Sequence, residues 1–170
     1  MIGQSNMAGG KGPVDSSLDA VVHPRLHRFT LATGWVQGID DETTGVRMGT
    51  MFGRRLLQQD SAATIGLMNF AIHGTSLSDW EKGNWAYGQS IPTVRILVRD
   101  YGRLKGILWH QGESDGHDTT GAALTYGARL TQLIHDLRSD LGSDSVPFLI
   151  GQVCEDLRLS DTTGNFSVIS

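Results

Sequence analysis

A chain of 170 residues, 39% apolar and 19% charged, suits one globular domain with a core and is far from a disordered composition. Its net charge of −4, with no cluster of Lys or Arg, argues against a nucleic-acid partner, and apolar runs such as residues 65–72 are far too short to cross a bilayer. The single cysteine, Cys154, excludes an internal disulfide and a multi-cysteine metal site and is expected to be a half-buried, inert thiol. In chain order, the opening MIGQSNMAGG lacks the charged start and apolar stretch of a secretion leader. Residues 45–60 set Met48, Phe52 and Leu56 at steps of four, one face of a helix. Residues 64–72 form a compact apolar run ending at His73-Gly74, the pattern of a buried strand. Residues 91–101 place Ile91, Val94, Leu97, Val98 and Tyr101 on a helical face, with Pro92 near the start and Gly102 just past the end. A strand over 104–110 follows. Then comes a long helix over 121–141, striped by Leu124, Ala128, Leu130, Ile134, Leu137 and Leu141 and stopped by Gly142. A third strand spans 146–153. Strands alternating with helices predict an α/β fold, a mainly parallel sheet covered on both faces.

In such sheets ligands bind at the carboxyl ends of the strands. That rule selects residues 3–8, 73–80 and 111–117, each rich in Gly, Ser, Asn, Gln or Asp. A serine where a strand turns into a helix projects its hydroxyl from the sheet edge. Its own N–H then sits at a helix N-terminus, where it can bind an oxygen that gains negative charge. Ser5 in IGQSNM fits this, with Gly3 permitting a tight turn; the plain alternative is a helix cap. Gly74 can offer an unobstructed N–H, or simply make a turn. The Gln111 amide can donate to an oxyanion, or belong to a polar loop whose Glu113 and Asp115 face water.

Together, GQSNM, GTSLSDW and WHQGESD resemble the SGNH hydrolase superfamily, in the carbohydrate esterase branch of sialate O-acetylesterases and acetylxylan esterases. The likeness runs from Ile2 to about Val153. It implies a three-layer α/β/α sandwich like that of flavodoxin, acting on an acetylated carbohydrate. An acetyl ester would leave a sugar hydroxyl through an acyl-serine. Ser5 would match the nucleophile; its N–H, that of Gly74 and the Gln111 side chain would match the oxyanion donors. The Ser5 motif is not the G-x-S-x-G elbow, because Met7 stands at the last Gly position. The reaction needs no cofactor, and no His, Cys or carboxylate cluster at metal-ligand spacing argues for a metal.

The pattern departs from the family at the C-terminus. Its last block, D-x-x-H, supplies the general base and the Asp that orients it, and the residues after Val153, CEDLRLSDTTGNFSVIS, contain no histidine. The expectation is one domain lacking that block and part of its first strand. Loss of a triad member costs on the order of 10⁴ to 10⁶ in rate. Of the remaining histidines, His23 and His27 fall in an early connecting segment, and His135 lies beside a helical stripe. His73 and His110 adjoin the selected segments, with His110 expected to point away from Gln111; His117 sits in a loop. For sugar contacts the candidates are Glu113, which could equally hold a loop, and Trp80. Trp80, Trp85 and Tyr87 read as one loop-rich stretch in which an aromatic either stacks on a sugar or packs the core.

Overall fold

The computed structural model describes residues 1–10, 12–41 and 45–154, with residues 162, 164, 165 and 169. The elements are β1 (Ile2–Gly3), α1 (Ser5–Ala8), β2 (Leu26–Thr30), β3 (Gly34–Gln37), α2 (Met48–Gln59) and β4 (Ile65–Met68). They continue with α3 (Leu77–Trp80), α4 (Trp85–Tyr101), β5 (Ile107–His110), α5 (Glu113–Gly116), α6 (Ala122–Asp140) and β6 (Phe148–Ile150). Strand β5 lies between β1 and β6, parallel to both. Strand β2 lies between β4, which is parallel to it, and β3, which is antiparallel. Just past β4 the two groups join, because the N–H groups of Phe70 and Ile72 donate to Met1 and Gly3 carbonyls at 2.9 Å. The order is thus β3-β2-β4-β1-β5-β6, with β3 the only antiparallel strand among the described residues.

Side chains alternate across a strand, so each face gathers its own core. Ile2, Ile107 and Trp109 pack against Leu77 and Trp80 of α3, Ile91 of α4 and Leu130, Leu133 and Leu137 of α6. Leu26 and Leu67 pack with Leu57 of α2, and Met1 adjoins them. Helices cover both faces, as the alternation of elements implied.

Several local expectations are corrected. The buried face of α2 is Gly49, Thr50, Gly53 and Leu57, whereas Met48 and Leu56 are exposed. A Cβ on Gly53 would lie 2.6 Å from Leu26 Cδ1, so a larger residue there would require Leu26 or the helix to shift. Glycines carry no hydrophobic signal, which hid this face from the periodicity. Gly3 makes a close approach rather than a tight turn: a Cβ would fall 2.1 Å from the His110 carbonyl oxygen. Helix α4 begins at Trp85, not near residue 91, so Pro92 lies inside it and Trp85 and Tyr87 are helical, not loop residues. In α6 the stripe is Ala123, Tyr126, Leu130, Leu133 and Leu137, while Leu124 is largely exposed. The segment holding His27 is a hairpin of β2 and β3, not a connection. Cys154 is exposed.

Candidate active site

Strands β1 and β5 and the continuation of β4 end side by side, which brings the three selected segments to one edge of the sheet. Ser5 is the first residue of α1 and is half-buried. Among the described residues nothing hydrogen-bonds its hydroxyl, and its N–H, as the first of the helix, has no intrahelical acceptor. Gly74 is exposed with φ of +74°, and its N–H likewise meets no acceptor among the described residues. Two backbone donors and one hydroxyl therefore stand unpaired where the segments converge.

Gln111 behaves differently. It is 2% exposed, and its Nε2 donates to Asp115 Oδ2 at 2.6 Å, with Gln4 Oε1 at 3.1 Å and the Thr75 carbonyl at 3.2 Å. Its Oε1 accepts from the Tyr126 hydroxyl at 2.8 Å. An amide nitrogen carries two hydrogens, and here both are turned inward, to three acceptors. The side chain thus bridges Gln4, next to Ser5, and Thr75, next to Gly74. Sequence reasoning allowed an oxyanion donor or a polar-loop residue; the structure presents Gln111 as the strut between the other two segments.

Asp115 anchors that strut. It is 2% exposed, and besides Gln111 its Oδ2 accepts from the Leu77 N–H at 2.8 Å. Arg129 Nη1 lies 3.8 Å from Asp115 Oδ1, and Arg129 Nε donates to Glu81 at 2.6 Å. Gln4 Oε1 also accepts from the Ser114 N–H at 3.2 Å. Burial, reinforced by the charges of Asp115 and Glu113, pushes the Tyr126 phenol above its ordinary range, against the bond it accepts from Trp109. Tyr126 thus stays a neutral donor.

Glu113 is 8% exposed and accepts from the Asn6 amide; His110 Nε2 lies 3.5 Å from the same oxygen, Oε1. Burial pushes its carboxyl up. The bonds from His110, from its own backbone N–H and from Asn6 outweigh that and hold it below the usual carboxylate range. Its other oxygen, Oε2, is buried and has no partner among the described residues. The expectation that Glu113 and Asp115 face water is therefore corrected: both are interior groups that tie helices to strand ends. Trp80 is also corrected as a sugar platform. It is fully buried, its indole N–H donates to Thr75 Oγ1 at 3.0 Å, and its ring meets Trp109 edge to face. No described histidine bonds the Ser5 hydroxyl; His73 and His117 are exposed, and His110 is 8% exposed. A family-type Asp/His pair would fall beyond Val153, and residues 154–170 contain no histidine.

Beside this edge opens a cavity of about 560 Å³, walled by Ser76, Ser78, Ser114, His117, Asp118 and Arg129 among others. Ser5 is not one of its walls; the link is Ser114, through its bond to Gln4. Sequence reasoning missed Ser76, which closes a capping box with Asp79 at the start of α3 and so fixes the loop that carries Gly74. The S-x-x-D spacing at 76–79 was the available signal.

Residues 1–167 match the family model described as carbohydrate esterase, sialic acid-specific acetylesterase. A probable carbohydrate esterase of Arabidopsis thaliana, At4g34215, is 31% identical over 170 residues, covering 86% of this chain; the chain spans 65% of that relative's length. The crystal structure of the Arabidopsis protein AT4G34215 superposes with a TM-score of 0.79 at 26% identity, over 99% of this chain and 76% of that one. A carbohydrate acetylesterase of Xanthomonas citri, XAC1771, gives 0.69 at 22% identity, over 89% of this chain and 40% of its own. NanS gives 0.76 at 16% identity, over 98% and 70%. The last two likenesses establish the fold.

Proposed function

The chain belongs to the sialic acid-specific acetylesterase family of carbohydrate esterases, and from that premise we propose a serine esterase that removes acetyl groups from sugar hydroxyls with Ser5 as nucleophile. One observation carries the reading. Ser5 is half-buried at the edge where β1, β4 and β5 end, its hydroxyl unbonded, and both its own N–H and that of Gly74 are unpaired among the described residues. In the proposed reaction Ser5 Oγ attacks the acetyl carbonyl and its proton passes to the histidine of a D-x-x-H block, which residues 154–170 do not contain. The tetrahedral oxyanion is met by the Ser5 and Gly74 N–H groups, and the sugar alcohol leaves from an acyl-serine that water then hydrolyses. Gln111 serves either by turning one N–H outward as a third donor or by holding the other two in place; its bonds to Asp115 and Gln4 favour the second role. Glu113 fixes α1 through Asn6 beneath the nucleophile.

The test is p-nitrophenyl acetate turnover by the chain extended beyond residue 170 with a D-x-x-H block, and by the same protein carrying Ser5→Ala, with acetylated xylan and O-acetyl sialate as further substrates. The expected result is that all turnover above buffer disappears in Ser5→Ala. Equal rates in the two proteins would remove Ser5 from the reaction. Because no described histidine bonds Ser5, a second reading is a domain that binds glycans without cleaving them; saturable sugar binding with no Ser5-dependent turnover supports it.

A further inference from the structure

On the α2 face, at the carboxyl ends of β2 and β4, lies a second cavity of about 300 Å³. Arg28 is one of its walls. The register pairs Arg28 with Leu67, so both side chains point to the face that α2 covers, as Leu26 does two residues earlier. At Leu26 that face is filled by α2; at Arg28 the first turn of the helix, with Arg47 and Thr50, borders open space.

The charges around this space do not cancel. Arg47 Nη1 is 3.3 Å from Asp40 Oδ1, and the fully buried Asp40 also accepts from the Arg47 N–H and the Thr50 hydroxyl, each at 2.9 Å. Asp40 is therefore committed to Arg47 and the helix start. Arg28 has no ion pair among the described residues, and its Nε is buried with no acceptor. A guanidinium carries its charge at every working pH, and its planar fork matches a carboxylate. The other polar walls among the described residues have partners. Asn69 donates to the Ala8 carbonyl and accepts from the Ala71 N–H, and Thr30 pairs with Thr33. The Met1 amino group donates to the Met68 carbonyl at 2.6 Å, and the remaining described walls, among them Phe29, Leu67 and Phe70, are apolar. Among the described residues, one free forked cation in an otherwise apolar or internally satisfied cavity calls for one anionic head on an apolar body. It gives the hydroxyls of a sugar acid little to bond.

We infer that Arg28 and this cavity form a binding site for a small monocarboxylate with an apolar body, of the acyl or aryl acid class. The inference is independent of Ser5. The probe is sodium benzoate, titrated into ¹⁵N-labelled protein at constant ionic strength, with benzamide as the neutral isostere. Saturable shifts are expected at Arg28, Phe29 and Thr50 with benzoate and not with benzamide. They should persist in Ser5→Ala and weaken at least tenfold in Arg28→Gln, with Arg28→Lys between. Acetate and butyrate should compete with benzoate, butyrate more strongly; N-acetylneuraminate and glucuronate should not. Equal effects of benzoate and benzamide, shifts confined to other regions, undiminished affinity in Arg28→Gln or tighter binding of the sugar acids would each overturn the inference. Should Arg28→Gln fail to fold, the wild-type shift map and the benzamide comparison still decide.

Discussion

Asp115 and Gln111 form a buried polar network in which each hydrogen bond has a definite second party. The Asp115 carboxylate serves both Gln111 and the Leu77 N–H from inside the protein. Asp115→Asn keeps the shape but takes away a charged acceptor, leaving one of those donors poorly matched. The expected cost is about 2–4 kcal/mol, since breaking a buried charged contact leaves its partners desolvated. Denaturant unfolding measures it, and a loss under about 0.5 kcal/mol, the size of an ordinary surface change, would show that Asp115 is not the anchor. Glu113 gives a pH dependence. Its folded pKa lies below the ordinary 4.5, so the stability it adds is complete above that value and is lost as pH falls through it towards the lower folded value. Glu113→Gln should therefore flatten the acid limb of melting temperature against pH, with little change in slope above about pH 6, beyond the range where a glutamate titrates. Part of this was legible in the sequence. The strand-end rule selected the segments that hold Ser5, Gly74 and Gln111, and the structure brings those segments to one sheet edge. The direction in which Gln111 donates was not legible, because it depends on Asp115 and Tyr126, which the chain brings in from separate helices.

At the scale of elements, strands β4, β5 and β6 and helices α2 and α6 were found where apolar runs and helical steps are strong. The faces of α2 and α6 and the start of α4 were not, for two physical reasons. A helix that packs through glycine hides its contact face from any hydrophobic count, as Gly49 and Gly53 do. The first turns of α4 contain Gly88 and Pro92, so intrinsic preference there is weak and packing of Ala86, Tyr87 and Ile91 decides. The hairpin of β2 and β3 escaped because most of its residues are only half-buried and their alternation is blurred by His27 and Arg28. Gly53 carries the prediction at this scale. Leu26 is fully buried, so Gly53→Val must displace either its side chain within the core or α2 itself. Overpacking costs about 1–3 kcal/mol, more than the few tenths gained in helix preference over glycine. Chemical denaturation of the variant should show the loss; an unchanged midpoint would mean that α2 does not approach the sheet this closely.

Across the whole molecule the six strands form one continuous order, yet the two cores are unequal. Among the described residues the core built on β1 and β5 has thirteen buried residues, including the fully enclosed Trp80 and Trp109, and α3, α4 and α6 close over it. The core under α2 has three among the described residues, Leu26, Leu57 and Leu67, and the strands it supports are mostly half-buried. Burial of apolar surface is the main favourable term in folding, so free energy for local opening should follow that division. Amides of Ile107, Trp109, Leu133 and Leu137 are expected to exchange with solvent deuterium only through global unfolding. Those of Trp35 and Val36 on the outer strand should exchange faster by a factor of about 100 or more, the ratio set by an opening roughly 3 kcal/mol cheaper. Denaturant added below the unfolding midpoint should narrow the gap, because the slow amides depend on the larger exposed surface. The candidate site lies on the border between these regions, with Ser5 and Gln111 on the firm side and Gly74 on the loop that follows the junction of β4 and β1. If Trp35 and Val36 prove as protected as Trp109, the sheet opens as one unit, and that border has no energetic meaning.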